Sequence, residues 1–481
     1  MRRNFWGFFP LVFFTLMFPV SGGAQKIWTL EECINYALEN NLDIQKQVLM
    51  VESNKKTLLQ SALSVLPDLN ANGTNVWNFG QTIDQYTNTF ATNTVRSNNF
   101  YLQSEVTLFG GFQKFNTVKQ NRISVLASKY DLDVLKNSIS LSVAGYFLDI
   151  LFNRELLEVA REQLAITVAQ VDRIQKKVEA GSAARGDLLN IQAQKAAEEL
   201  TLIEADNALY ISNLSLQQLI DLPVTRDFLI EKPTLKPVQT PNSLVSPEII
   251  YDHALKARPE IQAAELRVQI AQKNLQIARG VLYPTLSLAG SWGTGYSGAA
   301  REIDPSIAPI IKLEKIGITQ LSHDTVFGYD LGYSSRVISF NDQLHQNENQ
   351  SVGFYLRVPI FNGWSGRNSI SQAKINRSQA ELNYDIEKRD LRKIIEQAYA
   401  DAVASLKKYA SSEEKVKAQE ESFKYTQQKF DVGMMTSFDF NNSKKDLTKA
   451  QSDLLQAKYD FIFKTTILEF YMGNPIRIDR E

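Results

Sequence analysis

The chain has 481 residues, 44% of them hydrophobic and 22% charged, with a formal net charge of −1. This composition excludes a disordered tail and a multispanning helical membrane protein, and the charge gives no basis for bulk binding of nucleic acid. One cysteine and three histidines exclude a disulfide framework and a CxxC metal cluster.

Arg2 and Arg3 precede an apolar run from Phe5 to Val20, followed by Gly22 and Ala24. This pattern reads as a secretory signal over 1–24, with the mature chain starting at Gln25. Beyond residue 25 no stretch is expected to supply the roughly 20 apolar residues of a spanning helix. Cys33 follows well after the signal, on an amphipathic helix, and reads as an ordinary thiol. Leu38, Leu42, Leu49 and Leu58 recur at helical spacing and predict one helix over 29–66, ended by Pro67. Residues 68–79 and 99–109 then alternate apolar with polar at period two, as strands do. Residues 111–180 contain no proline and one internal glycine, Gly145. They predict a helix of about 70 residues, roughly 105 Å long. Gly181 suits the residue that ends that helix, and Asp187 suits the positive end of a returning one.

The rest repeats this plan. A shift of 217 lays residues 29–73 on 246–290, so that Ala37-Leu38 meets Ala254-Leu255 and Pro67 meets Pro284. A shift of 252 lays 106–223 on 358–475, so that Gly181 meets Gly433, Asp187 meets Asp439 and Pro223 meets Pro475. The two shifts differ by 35, an insertion between Gly290 and Val358. The expected division is a signal peptide at 1–24, a first repeat at 25–222, a linker at 223–245 and a second repeat at 246–481. Each repeat reads helix, hairpin, very long helix, helix.

The period-two runs in the second repeat are 285–296 and 351–360. Leu286, Leu288 and Trp292, with Val352, Phe354 and Leu356, form the expected lipid-facing side. Runs of about 10 to 12 residues match a tilted transmembrane strand. The polar tips near 80–98 and 297–350 read as long outward loops. Four strands cannot close a barrel, and open edges are not tolerated in lipid, so several chains must pool their hairpins. The rival reading is a wholly soluble periplasmic coiled-coil scaffold, which has no use for a lipid-facing stripe. Enzyme readings find no support. There is no phosphate loop and no nucleophile motif, His323 and His345 lie 22 apart without ligand spacing, and no cofactor or metal is expected.

The ordered motifs resemble the TolC family of outer membrane efflux and secretion ducts. They are Thr29-Leu30-Glu31, Leu66-Pro67 and Tyr283-Pro284, Leu108-Phe109-Gly110-Gly111 and Ile360-Phe361-Asn362-Gly363-Trp364, and the two turns Ala180-Gly181 to Asp187-Leu188 and Val432-Gly433 to Asp439-Phe440. The resemblance implies an α+β membrane protein. In it a long antiparallel helical barrel continues into a 12-stranded β-barrel built by a homotrimer, four strands per chain. It places the barrel in the outer membrane of a Gram-negative-type bacterium, among its lipid, and the helices in the periplasm. It implies a passive duct for small molecules, such as drugs or metals, or for proteins. The implied partners are a periplasmic adaptor and an inner-membrane pump of RND, ABC or MFS type. Asp439 and Asn442 would line the constriction, and Met435 stands where one family member carries a restraining base. Gly181, Asp187 and Gly433 match turn positions that contact the adaptor.

Overall fold

In a computed structural model, residues 26–91, 94–225, 228–233 and 245–477 are described. The expected signal peptide lies outside them, as does most of the expected linker. In chain order the elements are β1 (Ile27–Trp28), α1 (Leu30–Asn40), α2 (Leu42–Leu63), β2 (Asn70–Asn78), β3 (Thr82–Ile83), β4 (Phe90–Ala91), β5 (Val95–Gly110), α3 (Gln113–Glu179) and α4 (Arg185–Leu219). They continue with β6 (Leu229–Ile230), α5 (Pro247–Ala257), α6 (Pro259–Gly280), β7 (Thr285–Ser297), β8 (Arg301–Ile303), β9 (Ile310–Ile318), β10 (Thr325–Gly332) and β11 (Ser335–Val337). Last come α7 (Phe340–Gln346), β12 (Asn349–Arg357), α8 (Ser365–Asp431) and α9 (Ser437–Tyr471).

The shift of 217 carries α1 onto α5 and α2 onto α6, end for end. The shift of 252 does the same for α3 onto α8 and α4 onto α9. The backbone plan is thus duplicated residue by residue, and α3 and α8 each run 67 residues, about 100 Å at 1.5 Å per residue.

Three expectations are corrected. The first helix of each repeat is two helices. Asn41, extended at ψ 127°, stops α1, and its side-chain oxygen then accepts from the amides of Asp43 and Ile44 as the cap of α2. In the second repeat Arg258 precedes Pro259, whose ring excludes the helical conformation for the residue before it. The tips are not plain loops. The first holds β3 and β4, and β5 begins at Val95; the second holds β8 to β11 and α7. Finally, α3 does contain a stretch apolar enough to cross a membrane by composition. Val143, Ala144, Phe147, Ile150 and Leu151 on that helix are buried in a core cluster, which accounts for the apolar run.

The chain divides into two compact units, and each draws on both repeats. Among the described residues, one comprises 26–49, 130–225, 228–233, 245–261 and 387–477. In its core Cys33, Ala37 and Ile44 pack with Phe147, Leu216 and Ile220. Burial pushes the Cys33 thiol up to about 12, so it is inert, as expected. β1 pairs in parallel with β6, and Phe228 and Ile230, within the expected linker, join the core. The other unit comprises Met50–Lys129 and Gln262–Ile386 and holds the main sheet, with strand order β12-β7-β5-β2.

Candidate functional site

Every neighbour in the four-stranded sheet is antiparallel. Leu286 pairs with Leu356, Leu288 with Phe354, and Gly290 with Val352. On the other side of β7, Val106 pairs with Leu288 and Leu102 with Trp292. Directly opposed residues share a face, so these side chains form one apolar surface. Val352, Phe354 and Leu356 are 80%, 71% and 67% exposed. The alternate residues carry polar groups: Asn70, Asn72 and Thr74 on β2, Gln103 and Tyr101 on β5, and Ser287, Ser291, Ser351 and Tyr355 on β7 and β12. The Ser291 and Ser351 hydroxyls share a hydrogen bond of 2.7 Å on this face. Trp292 donates its indole N–H to Glu348 at 2.7 Å, an apolar ring with a polar tether, as membrane-interface tryptophans have.

Where β5 passes into α3, Gly111 has φ +59° and its missing Cβ would lie 2.3 Å from the Gly280 carbonyl oxygen. Only glycine fits. Phe112 also has positive φ, and the shift of 252 reproduces the pair at Gly363 and Trp364. The motifs read in the sequence at these positions therefore encode a left-handed passage from sheet to long helix.

In the first unit, the two helical turns follow one pattern. Gly181 (φ +72°) donates to Val178 O and Ser182 to Lys177 O. Gly433 (φ +78°) donates to Phe430 O and Met434 to Lys429 O. Both are Schellman ends, and the positive φ explains both glycines. α9 is capped by Thr436, whose hydroxyl accepts from the Asp439 amide at 3.2 Å and donates to the Asp439 carboxylate at 2.6 Å. α4 starts after Ala184, which has no side-chain cap. Asp187 instead accepts from the Ser437 hydroxyl at 3.3 Å, so the structure joins the two turns. Asp439 and Asn442 are exposed, one turn apart on α9. Met435 packs on a cluster in which Phe440 stacks on Phe430 at 4.6 Å, while Met434 and Phe438 remain exposed.

Sequence reading missed a buried charge beside these turns. Lys444 on α9 is 1% exposed. Its ammonium donates to Gln163 O at 2.5 Å, to the Thr167 hydroxyl, and to both Glu198 oxygens at 2.9 and 3.0 Å. Thr167 donates in turn to Glu198 at 2.6 Å. Three helices, α3, α4 and α9, meet at this point. Burial pulls the Lys444 ammonium down in affinity for its proton, and Glu198 opposes that. The signal was present: Phe440, Lys444, Leu447 and Ala450 share one buried face, so a lysine occupies a core position.

A sheet apolar on one face, polar on the other and open at both edges, joined in the chain to helices of 67 residues, defines a channel subunit of the bacterial outer membrane. The outer membrane efflux protein model matches residues 33–221 and 250–474, and the chain belongs to that family. It is 23% identical over 363 residues to the outer membrane efflux protein BepC of Brucella suis, across 75% of this chain and 69% of that protein. It is 22% identical over 328 residues to the outer membrane protein TolC of Vibrio cholerae, across 66% of this chain and 63% of that protein. The chain thus spans about two thirds of these relatives. The crystal structure of the outer membrane protein VceC of Vibrio cholerae has the same fold, with a TM-score of 0.72 at 15% identity, over 93% of this chain and 97% of that one.

Proposed function

We propose that three copies of this chain form one outer-membrane duct and that it exports cargo passively. The observation that carries this is the open sheet. β2 and β12 are both edges and run in opposite directions, so the β12 of one copy pairs antiparallel with the β2 of the next, and only a ring of copies leaves no edge in lipid. Three copies give twelve strands. The face of Leu286, Leu288, Trp292, Val352, Phe354 and Leu356 meets lipid, and the face of Ser287, Ser351 and Tyr355 lines the lumen. The two repeats, 25–222 and 246–481, supply equivalent helical hairpins to the periplasmic wall, joined through 223–245. Asp439 and Asn442 line its constriction. Gly181, Asp187 and Gly433 form the turn surface that a periplasmic adaptor grips, and an energised inner-membrane pump supplies the work. No residue performs chemistry in this reading. The test is native mass measurement of protein extracted from outer membrane in detergent. Three mature chains are expected; a monomer or dimer overturns the barrel.

A further inference from the structure

The insertion that distinguishes the second repeat has two parts of opposite character. Its base is pinned. Ser297 donates to Asp84 at 2.5 Å, and Gln343 on α7 both donates to Ser297 O at 2.9 Å and accepts from its amide at 2.8 Å, all of them buried. Phe340 packs edge-on against Phe100 and near Tyr296. Its arm, the β9–β10 hairpin, is bare: every residue of β9 is exposed.

The arm is nevertheless two-faced. Ile311 opposes Leu331 and Leu313 opposes Tyr329, and Phe327 follows on the same side, where it opposes Lys315 at the rim of the face. Lys312 opposes Asp330 on the other, with Glu314 beside them. A lone two-stranded hairpin is marginally stable in water, and an ordered apolar face on one marks a surface built to be covered.

The strand order limits what covers it. The arm is joined through β11 and α7 to the start of β12, an edge strand, at Asn349. The other edge, β2, ends at Asn78, and the chain turns there through Phe79, Ile83 and Phe90, which are 80%, 60% and 69% exposed. Antiparallel closure sets β12 of one copy beside β2 of the next, so the tip end of each seam carries a bare apolar arm from one copy and the exposed Phe79, Ile83 and Phe90 of its neighbour, on a turn that Asp84 anchors to its own chain. We propose that the Ile311–Leu313–Phe327–Tyr329–Leu331 face docks on the 79–90 turn of the adjacent copy and clasps the seam. This rests on the ring of copies proposed above.

The test places the photo-reactive amino acid p-benzoylphenylalanine at Tyr329 in the full chain, irradiates intact cells, and separates the products on denaturing gels. Bands at two and three chain masses are expected, with the adduct mapped by peptide mass to 79–90. Leu313→Glu on the apolar face should abolish them, and Lys312→Glu on the charged face should leave them. Adducts to lipid, to another protein, to the own chain only, or to none overturn the clasp, as do adducts that survive Leu313→Glu. Native mass of the same preparations separates the two failures: an intact three-chain assembly without these adducts sinks the clasp alone, and the absence of that assembly sinks the ring.

Discussion

The turn after α3 and the turn after α8 share a backbone and differ in what closes it. Both end on a Schellman glycine and restart a helix of 35 residues. The second has its own hydroxyl cap at Thr436 and a carboxylate, Asp439, left exposed; the first has an alanine at the cap and a carboxylate, Asp187, engaged by Ser437 of the second. The same asymmetry runs into the helices. Lys444 is buried, while its counterpart under the shift of 252, Gln192, is exposed; the counterpart of Glu198 is the buried Ala450. Duplication copied the fold and left a buried charge pair shared between the copies, Glu198 from the first and Lys444 from the second. The backbone is therefore symmetric, and the chemistry that sets one helix against another is not.

The strongest way to break this comparison is at that pair. Removing one partner of a buried ion pair strands the other charge, so Lys444→Met should destabilise by about 3–5 kcal/mol. Gln192→Met, at the matching exposed site, should stay within about 0.5 kcal/mol. The double variant Lys444→Met with Glu198→Met should recover most of the loss, because apolar replacement of a whole pair is often neutral. Thermal loss of helical circular dichroism reads all three. Equal effects at 444 and 192 would mean that the network contributes nothing.

The two faces of the sheet sharpen the contrast in a second place. Phe354→Arg puts a charge on the apolar face, proposed to meet lipid, and should cost roughly 2–4 kcal/mol, lowering the amount found in outer membrane. Tyr355→Arg, one residue on and facing the other way, should not. If both fall equally, the facing assignment is void.

Both of these contrasts show which parts could be read without coordinates. The repeats were legible because constant shifts over long runs fix element ends, and α1, α3 and α4 recur at their shifted positions to the residue. The four strands were legible because the register of a half-buried strand writes itself as alternation. Asn41 was not, since an asparagine inside an apolar helical pattern gives no warning that its side chain caps a new helix. Arg258-Pro259 carries a breaker signal that the helical apolar spacing alone does not show. The insertion read as loop because β9, Ile-Ile-Lys-Leu-Glu-Lys-Ile, mixes apolar residues with both charges and alternates only in part. Lys444 hid for a different reason: its partner sits 246 residues away, and no local pattern shows that.

The caps give a third and smaller effect. Thr436→Ala should destabilise by about 1 kcal/mol through loss of the hydroxyl cap. Ala184 already has cap geometry, with φ −75° and ψ 143°, so Ala184→Ser should gain up to a similar amount. If the two changes do not differ in sign by thermal melting, the turns are not closed in the way their hydrogen bonds indicate.

The smallest effect on folding is expected at Asp439, where the functional consequence is largest. Asp439→Asn keeps the bond from Thr436 and removes a charge from the positive end of α9, a loss of about 0.5 kcal/mol. In the proposed ring of three copies, however, three Asp439 carboxylates would crowd one axis. Crowded carboxylates draw cations, and their oxygens suit di- or trivalent ions. Asn442, a turn further along α9, would add neutral oxygens to the same path in that proposed ring. Single-channel recording in a planar bilayer should therefore show block of the parent by a polyvalent cation added on the periplasmic side. Asp439→Asn should relieve that block and weaken cation selectivity. Asp187→Asn should leave both unchanged, because its carboxylate is tied to Ser437. A channel that blocks alike with and without the Asp439 charge would reduce this residue to a member of the α9 cap.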